Sequence, residues 1–201
     1  VGRNYWSVLR NKEFLVYGIG ATLGLAGMFS YISGAPYVLM ERLGFSEEAF
    51  GWLFGINAMG FIACSQINRW LLKKRNSENV SMMVSYFTLL AAISLIISVS
   101  LNIPNTYAFL GALFLFISSL GFINPNLQGL ALSPFKHNAG VASALIGSLR
   151  MLGGAVASSL VGILHNNTAW PMVILMSLCA LLVFGILLSR RLSSAKLVVD
   201  N

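Results

Sequence analysis

Six long apolar stretches constrain the fold of this 201-residue sequence more than any other feature. Each is about 20 residues or longer, the length that an α-helix needs to cross about 30 Å of hydrocarbon. A composition of 57% hydrophobic and 9% charged residues lies outside the range of soluble domains. The sequence therefore predicts an all-α membrane protein in which six transmembrane helices form one bundle. The predicted spans are Phe14–Val38, Phe50–Leu72, Val80–Leu101, Tyr107–Leu130, Ala139–Leu164 and Trp170–Ser189.

The loops between these stretches alternate between basic and nearly uncharged. Because cytoplasmic loops retain Lys and Arg, both termini are predicted to lie in the cytoplasm. The predicted organisation is a cytoplasmic linker at 1–13, a transmembrane bundle at 14–191 and a cytoplasmic tail at 192–201. The net charge of +7 then reflects the orientation in the membrane. Nucleic-acid binding does not explain it, because the basic residues form no common face with aromatic residues between them. The basic residues of the predicted cytoplasmic side are Arg3, Arg10, Lys12, Arg69, Lys73, Lys74, Arg75, Lys136, Arg190, Arg191 and Lys196.

The opening residues Val1–Glu13 are polar and lack the apolar core of a secretory signal. We expect a further segment upstream, to which these residues are the cytoplasmic linker. Cys64 and Cys179 lie within predicted spans and have no metal-binding or redox spacing, so we interpret them as packing residues. Neither a metal ion nor a cofactor is expected.

Small residues are concentrated in the fifth and first spans. Helices in lipid associate through small residues that let their backbones approach, so these stripes predict tight interfaces. The last span is apolar all round and is expected to face lipid. The stripes are Ala139, Ser143 and Gly147, then Gly154, Ser158 and Gly162 in the fifth span, and Gly20, Gly24 and Gly27 in the first.

The fourth span carries an unusual polar group, Asn124, Asn126 and Gln128 around Pro125, and the second span carries Asn57. Asn124 and Gln128 are four residues apart and share a helix face. Two interpretations stay open. These side chains line a water-filled cavity, or they form hydrogen bonds between helices near the cytoplasmic headgroups.

Arg150 is the most informative single residue, because it lies near the middle of the fifth span. A charge there costs about 2.5–3.5 kcal/mol on insertion scales, so it is seldom tolerated without a role. The alternative is a structural arginine that pairs with backbone carbonyls or bridges two helices. No acidic residue lies inside a predicted span, so a carboxylate partner would have to come from elsewhere.

A weak internal repeat relates the first three spans to the last three. Pro36, Gly51 and Gly55 match Pro125, Gly140 and Ala144 at one constant offset. Each block crosses the membrane an odd number of times, so the copies are inverted, as in many secondary transporters. The two prolines are candidate helix hinges.

Enzymes and voltage sensors fit the pattern poorly. An intramembrane protease would need a histidine inside a helix that faces its serine, whereas His137 and His165 lie at span ends. A voltage sensor would need Arg at every third position of one helix, and Arg150 stands alone. No enzymatic activity is expected.

Five sequence motifs stand out along the chain. They are AGMFSYISGAPYVLME and FGWLFGIN in the first two spans, GFINPNLQGLAL in the fourth, and AGVASALIGSLRMLGGAVAS with NNTAWPM in the last two. Together they resemble the C-terminal half of the bicyclomycin-resistance (Bcr/CflA) drug/proton antiporters of the major facilitator superfamily. The resemblance runs essentially from end to end. Glu41, Asn57, Arg150 and Trp170-Pro171 fall where the family shows the same residue types.

The resemblance implies a twelve-helix transporter of the bacterial inner membrane, monomeric at full length, of which this chain is the second half. Its partners would be small amphiphilic drugs such as chloramphenicol or bicyclomycin, protons, the lipid bilayer and the N-terminal six-helix half. Arg150 would pair with an acidic group on the other half or tune it. A sugar or metabolite exporter, or a six-helix protein without transport, remains an alternative. The residues expected in an amphiphilic drug cavity are Tyr31, Asn57, Asn124, Asn126 and Gln128.

Overall fold

The computed structural model of the chain describes residues 2–135 and 138–199, with side chains over 6–135 and 138–192. Within these ranges six helices are long and apolar enough to cross a membrane, which confirms the prediction. The helices are α1 (Gly2–Leu9), α2 (Lys12–Pro36), α3 (Glu47–Leu71), α4 (Ser77–Ser100), α5 (Thr106–Leu132), α6 (Ala139–Ile163) and α7 (Trp170–Val199), and a π-helical segment (Tyr37–Arg42) extends α2. Val1, Lys136, His137, Asp200 and Asn201 lie outside the described residues, as do the side chains of Arg3 and Lys196.

Polar side chains fix where three of the spans begin. Asn11 precedes α2 and accepts a hydrogen bond from a first-turn backbone N–H at 3.0 Å, and Ser46 and Asn105 do the same for α3 and α5 at 3.2 Å. Each cap satisfies a donor that has no partner within its helix. The sequence placed the span boundaries within a few residues, but α1 forms a helix inside the expected linker, and α7 continues through the expected tail to Val199. The cytoplasmic location of both segments stays a prediction.

The bundle is built around α2 and α5. Helix α2 packs against α5, α6 and α7, and α5 packs against α2, α3 and α4. By contrast, α3 packs mainly on α5, and α6 mainly on α2, so these two spans are the least buried. Large apolar side chains such as Trp52, Met59 and Leu152 are therefore exposed on α3 and α6.

The glycine stripe of α2 packs as the sequence predicted. A Cβ added to Gly20 would lie 3.0 Å from Leu127 of α5, and one added to Gly27 would lie 3.4 Å from Cys179 of α7. A Cβ added to Gly24 would contact the Asn124 amide. Side chains at these positions would push α2 away from the helices on which it packs.

Only part of the α6 stripes meets another helix of this bundle. Gly154 faces the ring of Phe29, at 3.0 Å from a hypothetical Cβ, and the Ser158 hydroxyl donates to the Phe29 carbonyl at 3.4 Å. Around Gly147 and Gly162 the corresponding space is open. The prediction of a tight interface is confirmed for the α2 side of α6.

Helix α7 is apolar all round, but it does not face lipid alone. Met176 and Val183 are buried on one side of the helix, which packs on α2 and α4. Leu178 and Leu182 are exposed on the other side. The helix therefore has one face buried in the bundle, and that its exposed face meets lipid stays a prediction.

Candidate functional site

A charged hydrogen bond joins the middle of α6 to the last part of α5. Arg150 is the twelfth of the 25 residues of α6, so it lies mid-helix as predicted. Its Nη1 donates a hydrogen bond to Oε1 of Gln128 on α5. The Nε atom of Arg150 is buried and finds no hydrogen-bond partner among the described groups. The neutral amide of Gln128 thus accepts a hydrogen bond from one of the five N–H donors of the guanidinium.

No carboxylate of the described residues balances this charge. The ion pair found among them joins Arg190 to Glu13 at 3.6 Å, near the ends of α7 and α2. Arg150 therefore keeps its full positive charge beside an amide dipole. Arg150 does bridge two helices, as the structural alternative predicts. The bridge to a neutral amide does not neutralise its charge.

Asn124 lies one turn before Gln128 on α5 and is 3% exposed. Neither its Oδ1 nor its Nδ2 has a hydrogen-bond partner among the described groups. An unsatisfied buried amide costs about 1–3 kcal/mol. Gly24 of α2 leaves room for this side chain, since a Cβ there would contact the amide, but α2 supplies it no hydrogen bond.

Tyr31 and Asn57, predicted separately, form a direct contact between α2 and α3. The Asn57 Nδ2 donates to the Tyr31 hydroxyl at 2.9 Å, and both residues are buried. Phe54 stacks on the Tyr31 ring with the centroids 5.7 Å apart. Tyr31 is seven residues beyond Gly24 on α2, so this pair lies about 10 Å from the level of Asn124.

Asn126 uses its amide in a reciprocal pair with Asn68 of α3. The two hydrogen bonds measure 2.8 and 3.1 Å, and both residues are buried. A cleft of about 570 Å³ opens beside the pair and is also lined by Gln66 and Lys73. The sequence reasoning missed Asn68. The sequence feature that could have identified Asn68 is its spacing of eleven residues from Asn57, about three helical turns, which places both amides on one face of α3.

The two candidate hinge prolines occupy different settings. Pro36 is the last residue of α2, and the π-helical segment follows it directly. Pro125 lies inside α5 with its ring exposed, and α5 continues through it. Neither proline interrupts its span, so a hinge role for either stays a prediction.

The site offers hydrogen-bonding amides, a phenol and one guanidinium inside an apolar bundle. In the described part of the chain, no group of three or more His, Cys, Asp or Glu residues is placed to hold a metal ion. These features define a helical multi-pass membrane protein with a polar, charged interior of the kind that transporters use.

The chain belongs to the Major Facilitator Superfamily, whose sequence model matches residues 3–158. A bicyclomycin resistance protein homolog of Haemophilus influenzae is 28% identical over 197 residues, which cover 96% of this chain and 49% of that protein. A chloramphenicol resistance protein of Pseudomonas aeruginosa is 25% identical, with 92% and 44% covered. Multidrug resistance protein D of Escherichia coli is 26% identical, with 90% and 45% covered. The chain spans about half the length of these relatives, and the resemblance seen in the sequence is confirmed.

Proposed function

We propose that this chain forms the second six-helix half of a multidrug/proton antiporter of the bacterial inner membrane. The half would export small amphiphilic drugs by alternating access, rocking against the N-terminal half around a site near the midplane. The observation that carries this proposal is the bridge from Arg150, in the middle of α6, to Gln128 of α5. It is supported by the chain's similarity to proteins named for resistance to bicyclomycin, chloramphenicol and multiple drugs.

The charge of Arg150 gives the proposal its coupling step. A carboxylate on the N-terminal half would pair with the guanidinium when ionised and release it when protonated. Proton binding to that carboxylate would then weaken the attraction between the two halves. The ion pair would also offset part of the free-energy cost of placing a charge in the middle of the membrane. Gln128 keeps the guanidinium oriented in both states.

The neutral polar residues suit drugs that carry hydroxyl and amide groups. Asn124 has unused donors and an unused acceptor, and Gln128 lies one turn away on the same face. Tyr31 and Asn57 would add an aromatic surface and a phenol further along the cavity. Asn126 would contribute from the cleft at the basic end. A pocket that binds through neutral groups and apolar walls accepts many ligands.

The proposal also covers the orientation, the oligomeric state and the hinges. Both termini would lie in the cytoplasm, and the full-length protein would act as a monomer. Pro36 and Pro125 would serve as hinges when the two halves rock. Reporter fusions of alkaline phosphatase after Arg42 and after Arg75 test the orientation. The first fusion should be active and the second inactive.

Proton movement in energised everted vesicles tests the antiport. The vesicles contain the full-length gene product and receive chloramphenicol, bicyclomycin and a lipophilic cation in turn. A drug-dependent fall of the pH gradient is expected, and Arg150→Ala should abolish it while Arg42→Ala, at an exposed arginine, should leave it unchanged. An Arg150→Ala protein that pumps normally would refute the coupling role. No response to any drug would favour a metabolite exporter or a protein without transport.

A further inference from the structure

A basic pocket lies where the α3–α4 loop meets the end of α7. Lys74, Arg75 and Arg191 line it together with Asn76 and Asn79. No carboxylate of the described residues lies within ion-pair distance of these three cations. Asn76 is the N-cap residue of α4 and its side chain makes no capping hydrogen bond, and the first turn of α4 also carries the acidic Glu78.

An apolar groove runs along the bundle between α3 and α4, with α5 as its floor. Its volume is about 710 Å³, and its walls include Ile67, Phe87, Leu90 and Leu115. It extends along α4 from Met83 to Ser98, fifteen residues or about 22 Å of helix. That length exceeds the roughly 15 Å that one leaflet contributes to a hydrocarbon core of about 30 Å.

The groove and the pocket meet at one residue. Met83 lines both of them, and the Arg75 guanidinium lies 3.9 Å from its sulfur atom. Lys74 lies 5.6 Å from the ring centroid of Trp70, an exposed tryptophan of the kind enriched at membrane interfaces. A single site therefore offers cations at the headgroup level and an apolar channel that leads from them into the hydrocarbon.

We propose that this site binds one anionic glycerophospholipid of the leaflet that contacts the basic loops. Its phosphate would lie among Lys74, Arg75 and Arg191, and one acyl chain would lie in the groove. Charge complementarity selects the headgroup, and the continuous apolar walls distinguish a lipid from a free phosphate ion. The site is separate from the candidate drug-cavity residues, because the described residues that line the groove and the basic pocket do not include Tyr31, Asn57, Asn124, Asn126, Gln128 or Arg150.

Native mass spectrometry of the full-length protein in mild detergent tests the proposal. Dioleoyl phosphatidylglycerol is compared with dioleoyl phosphatidylcholine, which has the same chains and no net charge, and with inorganic phosphate. One phosphatidylglycerol should remain bound under conditions that remove phosphatidylcholine. Each of Lys74→Gln, Arg75→Gln and Arg191→Gln should weaken it about five-fold. Lys73→Gln is the matched control, since Lys73 is a neighbouring exposed cation that lines the other cleft.

The groove is tested with two glycine variants in exposed helix positions. Gly111 lines the groove and Gly185 lies on α7, and both have open space around a hypothetical Cβ. Gly111→Leu should reduce phosphatidylglycerol binding and Gly185→Leu should not. Equal retention of both lipids, or binding unchanged in the three charge variants, would overturn the proposal. Displacement of the lipid by inorganic phosphate would also overturn it, as would a Gly111→Leu variant that folds and binds normally, because the groove would then have another occupant.

Discussion

The contact between α3 and α5 brings backbone against backbone at Gly121, so substitution of this glycine is a direct test of the packing. A Cβ added to Gly121 of α5 would strike the backbone carbonyl oxygen of Phe61 on α3. It would also lie 3.1 Å from the Cβ of Cys64. A backbone atom cannot rotate away as a flexible side chain does, so Gly121→Ala must move one helix relative to the other.

The size of the effect follows from two opposing contributions. Overpacking costs about 1–3 kcal/mol, and the higher helix propensity of alanine offsets up to about 1 kcal/mol of this. We expect Gly121→Ala to lower the free energy of unfolding by about 1–2 kcal/mol. Gly129→Ala is the matched control on α5, because a Cβ there meets open space and only the gain in propensity remains.

The free energies of unfolding are measured by titrating sodium dodecyl sulfate into mixed micelles that contain the full-length protein. The two variants should differ by the overpacking cost, about 1–3 kcal/mol, with Gly121→Ala the less stable. If Gly121→Ala were as stable as Gly129→Ala, the close approach of α3 and α5 would be wrong. The position of Asn68 against Asn126 would then lose its support as well.

Three further predictions concern hydrogen bonds. A double-mutant cycle of Asn68→Ala and Asn126→Ala should give a coupling of about 0.6–1.7 kcal/mol in the same unfolding assay, and additive losses would contradict the reciprocal pair. Tyr31→Phe should cost about 0.5–1.5 kcal/mol there, because Asn57 loses its acceptor, and an unchanged midpoint would show that the pair is not formed. Ser46→Ala should lose about 1 kcal/mol with the N-cap of α3, whereas Ser46→Asp should retain it.

The number and placement of the spans could be predicted because hydrocarbon imposes a length and a composition on each helix. The glycine stripe of α2 could be predicted for a related reason, since close backbone approach requires small residues at a helical spacing. Both arguments use one helix at a time. Such arguments predict where each helix lies in the sequence, but not which helix packs against which.

Pairings between helices depend on how each helix is rotated, and a span that is apolar on every side gives no signal for rotation. The Arg150–Gln128 bridge could not be predicted for that reason, although both residues were identified as candidates. Asn68 was missed because a single amide near a basic loop resembles a headgroup-level residue. The π-helical continuation after Pro36 was missed because a proline usually ends a helix rather than widening it.

The buried polar groups of the bundle divide into those that have a hydrogen-bond partner within it and those that do not. Asn68 with Asn126 holds α3 to α5, and the Thr88 hydroxyl donates to Ser119 at 2.8 Å between α4 and α5. Each of these contacts gives its members a hydrogen-bond partner within the bundle. Arg150 and Asn124 keep buried atoms without partners, as do the hydroxyls of Ser118 on α5 and Ser177 on α7. An unpartnered guanidinium or amide costs more than an unpartnered hydroxyl, so Arg150 and Asn124 are the residues that gain most from a polar ligand or a further helix.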